Sequence, residues 1–322
     1  MHEMRVNKYL QVLQQTFLIL YVLIYSIMHK KNLILVSFII LLIFPSSSTM
    51  RRLDFRDARL KNVCKDLKGD ALLYFIFIDT KTTTPWTEFD IQSTIDSVRA
   101  AINWIHSQAK EEKIPLNIVA DFYIGTEFTT ISRNLPSGTV YESVTEPNSR
   151  KAMDNINKWA DGAAKIAGKA VTLRSKDGIP EVKNPNNAER LIAFLRDENN
   201  VESVGLIYFV NNYYKSDISI PLNTLHTDNV EYAIVSYKYA SDIAHNLLHL
   251  YGAADLHPTI FRRDNRKVKE LESKFPDDIM QDPYGTPILN MTIGEYTKYL
   301  IGWTDKYDPS LEPLMTDKLM KY

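Results

Sequence analysis

Two histidines one helical turn apart, followed by a glycine and an aspartate, constrain this chain more than any other feature. His245 and His249 lie in an apolar segment that predicts a helix over 240–251. A spacing of four residues places both imidazole rings on one face of that helix. Gly252 can adopt the left-handed conformation that ends a helix and turns the chain back. Asp255 follows three residues later, so the sequence predicts three potential metal ligands at one helix end.

These three side chains suit a zinc ion. Two neutral imidazoles and one carboxylate, with a fourth coordination position left open, form a typical catalytic zinc site. We therefore expect Zn²⁺ to bind to His245, His249 and Asp255. His257, two residues beyond the aspartate, is an alternative third ligand. A histidine pair on a buried helix is also compatible with hydrogen-bonded core residues, and the sequence leaves that interpretation open.

The pattern H-x-x-x-H-x-x-G-x-x-D resembles the zinc signature of the metzincin metallopeptidases, in the snapalysin-type form whose third ligand is Asp. The resemblance implies a zinc-dependent peptide-bond hydrolase. It also implies an α/β zincin fold, with a mixed twisted sheet, a long helix and a helix that carries the zinc ligands. A methionine-containing turn beneath the metal is implied as well, and Met280 is the candidate for it. Tyr284 is a candidate for supporting the metal or the oxyanion. At the level of motifs, the resemblance covers residues 240–256 and 278–284.

The chain departs from the family pattern directly after the first histidine, where the family has Glu and this sequence has Asn246. In the family, that Glu takes a proton from the attacking water and passes it to the leaving amine. An amide has no pKa near neutrality, and general-base catalysis typically contributes ~10²–10⁴ in rate. We therefore expect a zinc-binding pseudopeptidase, or a severely weakened peptidase, whose ligand is a peptide or a partner protein.

Two other functions remain compatible with the sequence. An active zinc endopeptidase would need a base from another segment, and the carboxylates nearest in sequence are Glu231, Asp242 and Asp278. A structural or interaction domain would use the histidine pair for packing, or the metal only to staple the fold. The residues themselves do not choose between these alternatives.

Composition narrows the function classes further. The chain has 38 Lys and Arg against 39 Asp and Glu, so it lacks the basic excess that is typical of nucleic-acid-binding proteins. It contains neither of the Gly-rich strings that bind dinucleotides or phosphates. Cys64 is its single cysteine, which excludes an intramolecular disulfide and a cysteine-based zinc finger. We therefore expect no nucleic-acid partner.

The N-terminal segment, 1–49, predicts export. Its apolar runs at 17–28 and 33–44 are each shorter than the ~20 residues of a membrane span. The second run follows basic residues and precedes small ones, as in a secretory signal peptide. Met28 is therefore a candidate for the true translation start. Alternatively, residues 9–44 anchor the protein in a membrane, and in both cases the rest of the chain is expected outside the cytoplasm.

Apolar periodicity beyond this segment predicts an α/β domain. Continuous apolar runs at 71–78 and 204–210 are typical of strands buried on both faces. A long helix is expected to begin near Pro85, because apolar residues then recur at spacings of four and three. Those residues are Ile91, Ile95, Val98, Ile102 and Ile105. Further strands are expected at 115–124 and 231–237, and further helices at 150–166, 187–197 and around 293–301.

We divide the chain into three parts after the signal or anchor. Residues 50–69 form a charged lead-in, 70–257 a metallopeptidase-like domain, and 258–322 a small C-terminal subdomain that contains the methionine turn.

Overall fold

The structure is a computed structural model. It describes residues 52–54, 64, 66–79, 85–124, 131–132, 149–168, 186–201, 203–211, 219–222, 232–236, 238–257, 265–309 and 316–318. The predictions for 1–49, for most of the charged lead-in and for Glu231 lie outside these residues. Within the described ranges, no helix combines the length and the apolar character that a membrane span requires.

The described segments alternate between strands and helices. In chain order the strands are β1 (Arg52–Asp54), β2 (Gly69–Asp79), β3 (Leu116–Tyr123), β4 (Ile131–Ser132), β5 (Ser203–Val210), β6 (Ser219–Leu222), β7 (Tyr232–Val235) and β8 (Thr316–Lys318). The helices are α1 (Glu88–Glu111), α2 (Ser149–Ala167), α3 (Asn187–Asn199), α4 (Ala240–Leu250), α5 (Asn265–Lys274) and α6 (Glu295–Leu300). A 3-10 helix covers Ile288–Asn290.

The main sheet has the strand order β3–β2–β5–β7–β6. Its first four strands are parallel, whereas β6 pairs antiparallel with β7 at one edge. Strand β4 pairs parallel with the carboxyl end of β2, and β1 and β8 form a separate antiparallel pair. The chain is therefore an α/β protein with a four-stranded parallel sheet, and the continuous apolar runs predicted its buried strands β2 and β5.

Helices cover both faces of this sheet. On one face, Leu73, Phe75 and Phe77 of β2 share a core with α1 and α4. On the other face, Leu72 and Ile76 pack with α2 and α3. Burial on both faces explains why these strands are apolar throughout instead of alternating.

Helix α1 begins later than predicted. It starts at Glu88, because the Thr87 side chain accepts a hydrogen bond from the Asp90 backbone and the Asp90 side chain accepts one from Thr87. This reciprocal capping box sets the first turn, so Pro85 lies before the helix. The predicted apolar face is confirmed, since Ile91, Ile95, Val98, Ile102 and Ile105 are all buried.

Candidate metal centre

Helix α4 ends in a turn at Gly252, as the position of this glycine in the sequence predicted. Gly252 has a φ of +93°, a conformation that costs glycine little because it has no Cβ. The Ala253 backbone N–H donates to the Leu248 carbonyl at 3.1 Å, which closes the helix end. The chain after the turn therefore passes back beside the last helical turn, where both histidines are located.

The three predicted ligands meet at one point. His249 Nε2 lies 2.9 Å from His245 Nε2 and 2.9 Å from Asp255 Oδ1. His245 Nε2 lies 3.2 Å from the same carboxylate oxygen. Both imidazoles are buried, with side-chain exposures of 7% for His245 and 6% for His249. The side-chain types and their separations match what a single metal ion requires.

His257 approaches the same carboxylate from another direction. Its Nε2 lies 3.4 Å from Asp255 Oδ1. The ligand atoms of His245, Asp255 and His257 all lie within 4.8 Å of one another, so these three residues also form a group that could hold a metal ion. Two overlapping sets of three possible ligands therefore share His245 and Asp255. His249 completes one set, and His257 completes the other.

Backbone carbonyls hold both helical histidines in one tautomer. His245 Nδ1 donates to the Ile279 carbonyl at 2.9 Å, and His249 Nδ1 donates to the Ala253 carbonyl at 2.9 Å. A carbonyl oxygen only accepts, so each Nδ1 must carry the hydrogen. In the neutral rings the lone pairs of both Nε2 atoms then face each other and a carboxylate oxygen. Such an arrangement needs a positive charge between its members, either a proton or a metal ion.

The electrostatics of Asp255 agree with a cationic centre. Burial raises the pKa of this carboxyl, but the imidazoles around it lower the pKa by more, His249 foremost. The pKa of Asp255 therefore lies well below its ordinary value, and the group is an ionised carboxylate at neutral pH. An ionised carboxylate is the form that ligates metals.

The predicted methionine turn lies under this centre. Met280 is fully buried, and its carbonyl accepts a hydrogen bond from the Leu256 backbone N–H at 2.8 Å. The preceding residue, Ile279, supplies the carbonyl that orients His245. The turn 278–281 therefore contacts the ligand segments from both sides, through the helix and through the loop after it.

Asp278 organises this turn. Its Oδ1 accepts from the Met280 backbone at 2.8 Å, and its Oδ2 accepts from the Gly294 backbone and the Thr297 hydroxyl, both at 2.9 Å. Burial raises the pKa of Asp278 to about 6, although these hydrogen bonds oppose the rise. Because both oxygens are engaged structurally, Asp278 is a poor candidate for the substitute base.

The Asn246 side chain lies in the protein interior and bonds back to its own helix. It is fully buried, and its Nδ2 donates to the Asp242 carbonyl one turn earlier at 2.8 Å. The amide therefore bonds to the backbone of its own helix, and it offers no group at this position that can take up a proton at neutral pH.

Tyr284 lies at the surface, 53% exposed, with its ring packed edge-on against Tyr239 at 5.7 Å between centroids.

Asp242 differs from the other buried carboxylates near the site. It is 3% exposed, and its Oδ2 has no hydrogen-bond partner among the described residues. Burial raises its pKa to about 6, while His245 and the Gly285 backbone lower it in part. Asp242 lies three residues before His245, which places it on the ligand face of α4. Of the two described carboxylates considered as a substitute base, Asp242 is therefore the one that keeps an oxygen without a hydrogen-bond partner among the described residues.

No family model and no curated protein matches this chain.

Sequence reasoning treated His257 only as a substitute for Asp255, whereas the structure brings both to the same point. A local signal existed, because residues two apart in an extended segment face the same side. Leu256 between them points into the core and is fully buried. The carbonyls of Ala253 and Ile279, which set the tautomers, had no signal in the sequence.

Proposed function

We propose that this protein is an exported, metzincin-like zinc-binding protein that has lost efficient peptide hydrolysis. Its zinc ligands are His245, His249 and Asp255. The observation that carries the proposal is the convergence of two imidazole Nε2 atoms and one carboxylate oxygen within 3.2 Å, with both rings held by carbonyls.

The donor set fits zinc. Tetrahedral ligands at ~2.0–2.1 Å from zinc stand ~3.3–3.4 Å apart, close to the separations of 2.9 to 3.2 Å at this site. Hydrogen bonds from the far ring nitrogens are the usual second contacts of zinc-bound histidine. The chain order of strand, long helix, further strands and ligand helix also agrees with the metzincin order, as does a buried methionine turn.

The loss of turnover follows from Asn246. When bound, zinc supplies a Lewis acid that polarises a carbonyl oxygen. Hydrolysis also needs a group that accepts a proton from water, and an amide bonded to the Asp242 carbonyl does not supply one. We therefore propose that the site binds a peptide or a segment of a partner protein without cutting it at a useful rate.

Metal content tests this proposal directly. Mass spectrometry of the full-length protein should find one zinc ion per chain, and His249→Ala and Asp255→Ala should each remove it. His106→Gln is the matched control, because His106 accepts a hydrogen bond from the Ile118 backbone at 2.9 Å and so links α1 to β3. If the wild-type protein is folded and free of metal, a shared proton would be the better explanation for the close contact between His245 and His249. The histidine pair would then have a structural role.

A second candidate is slow zinc-dependent hydrolysis with Asp242 as the base. The observation that favours it is the buried Oδ2 atom that has no hydrogen-bond partner in the described ranges. Its test is cleavage of casein by the wild-type protein that is lost in Asp242→Asn.

Asp242 also predicts a pH-dependent stability effect. Its pKa in the folded protein, about 6, exceeds the ordinary value of 3.8. Folding therefore favours the protonated form, and the stability that this carboxyl contributes below about pH 4 is lost as the pH rises through about 6. We expect Asp242→Asn to stabilise the protein by about 1–2 kcal/mol at pH 8 and to change little at pH 4.

Urea unfolding at both pH values, with a chelator present, measures this difference. Asp154→Asn, at an exposed position of α2, is the control and should shift neither value. Equal stability of wild type and Asp242→Asn at pH 8 would show that the Asp242 charge is well solvated.

A further inference from the structure

We propose that His257 is a fourth protein ligand of the same metal ion, so that four side chains close the coordination shell. The proposal rests on the proposed metal site and states how that site is completed. It differs from a choice between alternative third ligands, because all four residues bind together.

The first support is the position of Asp255 Oδ1. Three imidazole Nε2 atoms surround this oxygen, at 2.9 Å for His249, 3.2 Å for His245 and 3.4 Å for His257. Ligands of a tetrahedral zinc ion stand ~3.3–3.4 Å apart. Each imidazole therefore lies close to the separation from the carboxylate oxygen that shared coordination requires. The ligand atoms of His245, Asp255 and His257 also lie within 4.8 Å of one another, so binding of all four side chains requires the His257 imidazole to move towards His249.

The second support is the way the loop is held. Leu256, between Asp255 and His257, is fully buried, and its backbone N–H donates to the Met280 carbonyl at 2.8 Å. Anchoring the central residue fixes the two flanking side chains relative to the methionine turn. The same turn orients His245 through the Ile279 carbonyl, so one element positions ligands from both segments.

The third support is burial. The His257 and Asp255 side chains are 24% and 22% exposed, whereas those of His245 and His249 are almost fully buried. His257 therefore lies, together with Asp255, on the solvent side of the cluster. An external ligand would have to approach the metal from that side, where His257 stands.

A closed shell has a functional consequence. Zinc sites with four protein ligands are structural, while catalytic sites keep a position open for water or substrate. With His257 bound, a peptide carbonyl can reach the metal only after this imidazole has left. The closed shell and the missing base at Asn246 thus block hydrolysis independently.

Cobalt substitution tests the proposal on the full-length protein. Co²⁺ reports its coordination through visible absorption, and acetohydroxamate serves as the external ligand. We expect wild-type protein to give a four-coordinate spectrum that acetohydroxamate barely changes. His257→Ala should bind Co²⁺ more weakly because one ligand is lost, and its spectrum should shift on addition of acetohydroxamate.

Three further variants make the outcome decisive. His257→Gln repeats the test with a side chain of similar reach, His106→Gln should behave as wild type, and His249→Ala should lose Co²⁺. Loss of all cobalt from His257→Ala, with His106→Gln unchanged, also supports ligation. Unchanged affinity and spectrum in both His257 variants would overturn the fourth ligand while the metal site stands. Cobalt binding that His249→Ala does not weaken would overturn the metal site itself.

Discussion

The double variant Asn246→Glu/His257→Ala should cleave casein at a rate that the wild-type protein does not reach. The introduced carboxylate would supply a group that accepts a proton, and removal of the His257 imidazole would open the metal to substrate. General-base catalysis contributes ~10²–10⁴ in rate, so we expect a gain of that order over the single variant His257→Ala. A chelator should abolish the gain.

The matched control is Asn246→Gln/His257→Ala. Gln has the size and shape of Glu but cannot accept a proton, so it separates the base from the effect of a longer side chain. Both substitutions replace the buried Asn246 amide, whose Nδ2 donates to the Asp242 carbonyl, and Glu should cost the more stability because it also buries an ionisable carboxyl. Equal activity of the Glu and Gln double variants would contradict the assignment of Asn246 as the missing base.

The single variant Asn246→Glu distinguishes the effect of the absent base from the effect of His257 at the metal. If His257 closes the shell, Asn246→Glu alone should stay close to wild type. Metal-dependent cleavage by the wild-type protein, unchanged or lowered in Asn246→Glu and lost in Asp242→Asn, would instead establish an active peptidase with Asp242 as its base.

Asp278→Ala should give the largest loss of stability near the site. The substitution leaves three donors without an acceptor: the buried Met280 backbone N–H and Thr297 hydroxyl, and the partly buried Gly294 backbone N–H. An unsatisfied buried donor costs about 1–3 kcal/mol. Because removing a buried carboxylate also relieves its desolvation, we expect a net loss of about 3 kcal/mol in the free energy of unfolding.

The same variant should weaken metal binding. The turn that Asp278 holds presents the Ile279 carbonyl to His245, and loss of such second contacts typically lowers metal affinity ~10- to 100-fold. Urea unfolding and competition with a chromogenic chelator measure the two effects. Asp282→Ala is the control, because Asp282 is exposed and its carboxylate accepts the Tyr284 backbone N–H at 3.2 Å, away from the ligands. Metal affinity that survives in Asp278→Ala would show that the turn does not position His245.

Local features of the site could be predicted because they depend on neighbours in the chain. The spacing of His245 and His249 places them on one face of any α-helix, and the φ of +93° at Gly252 is one that glycine adopts readily. The apolar runs of β2 and β5 predicted strands that are buried on both faces, for a similarly local reason. The start of α1 was misplaced because Pro85 and the Thr87 capping box both indicate a helix start, and the box prevailed.

Sequence alone therefore determined the helix that carries His245 and His249, its sharp end, the buried strands, and an amide instead of a carboxylate at Asn246. Tertiary structure alone decided that the Ile279 carbonyl orients His245 from 34 residues away, and that His257 Nε2 lies 3.4 Å from Asp255 Oδ1. It also decided that β6 pairs antiparallel at the sheet edge. The physical reason is that periodicity and turn chemistry act between neighbours in the chain, whereas carbonyl positions and ligand geometry depend on how distant segments pack.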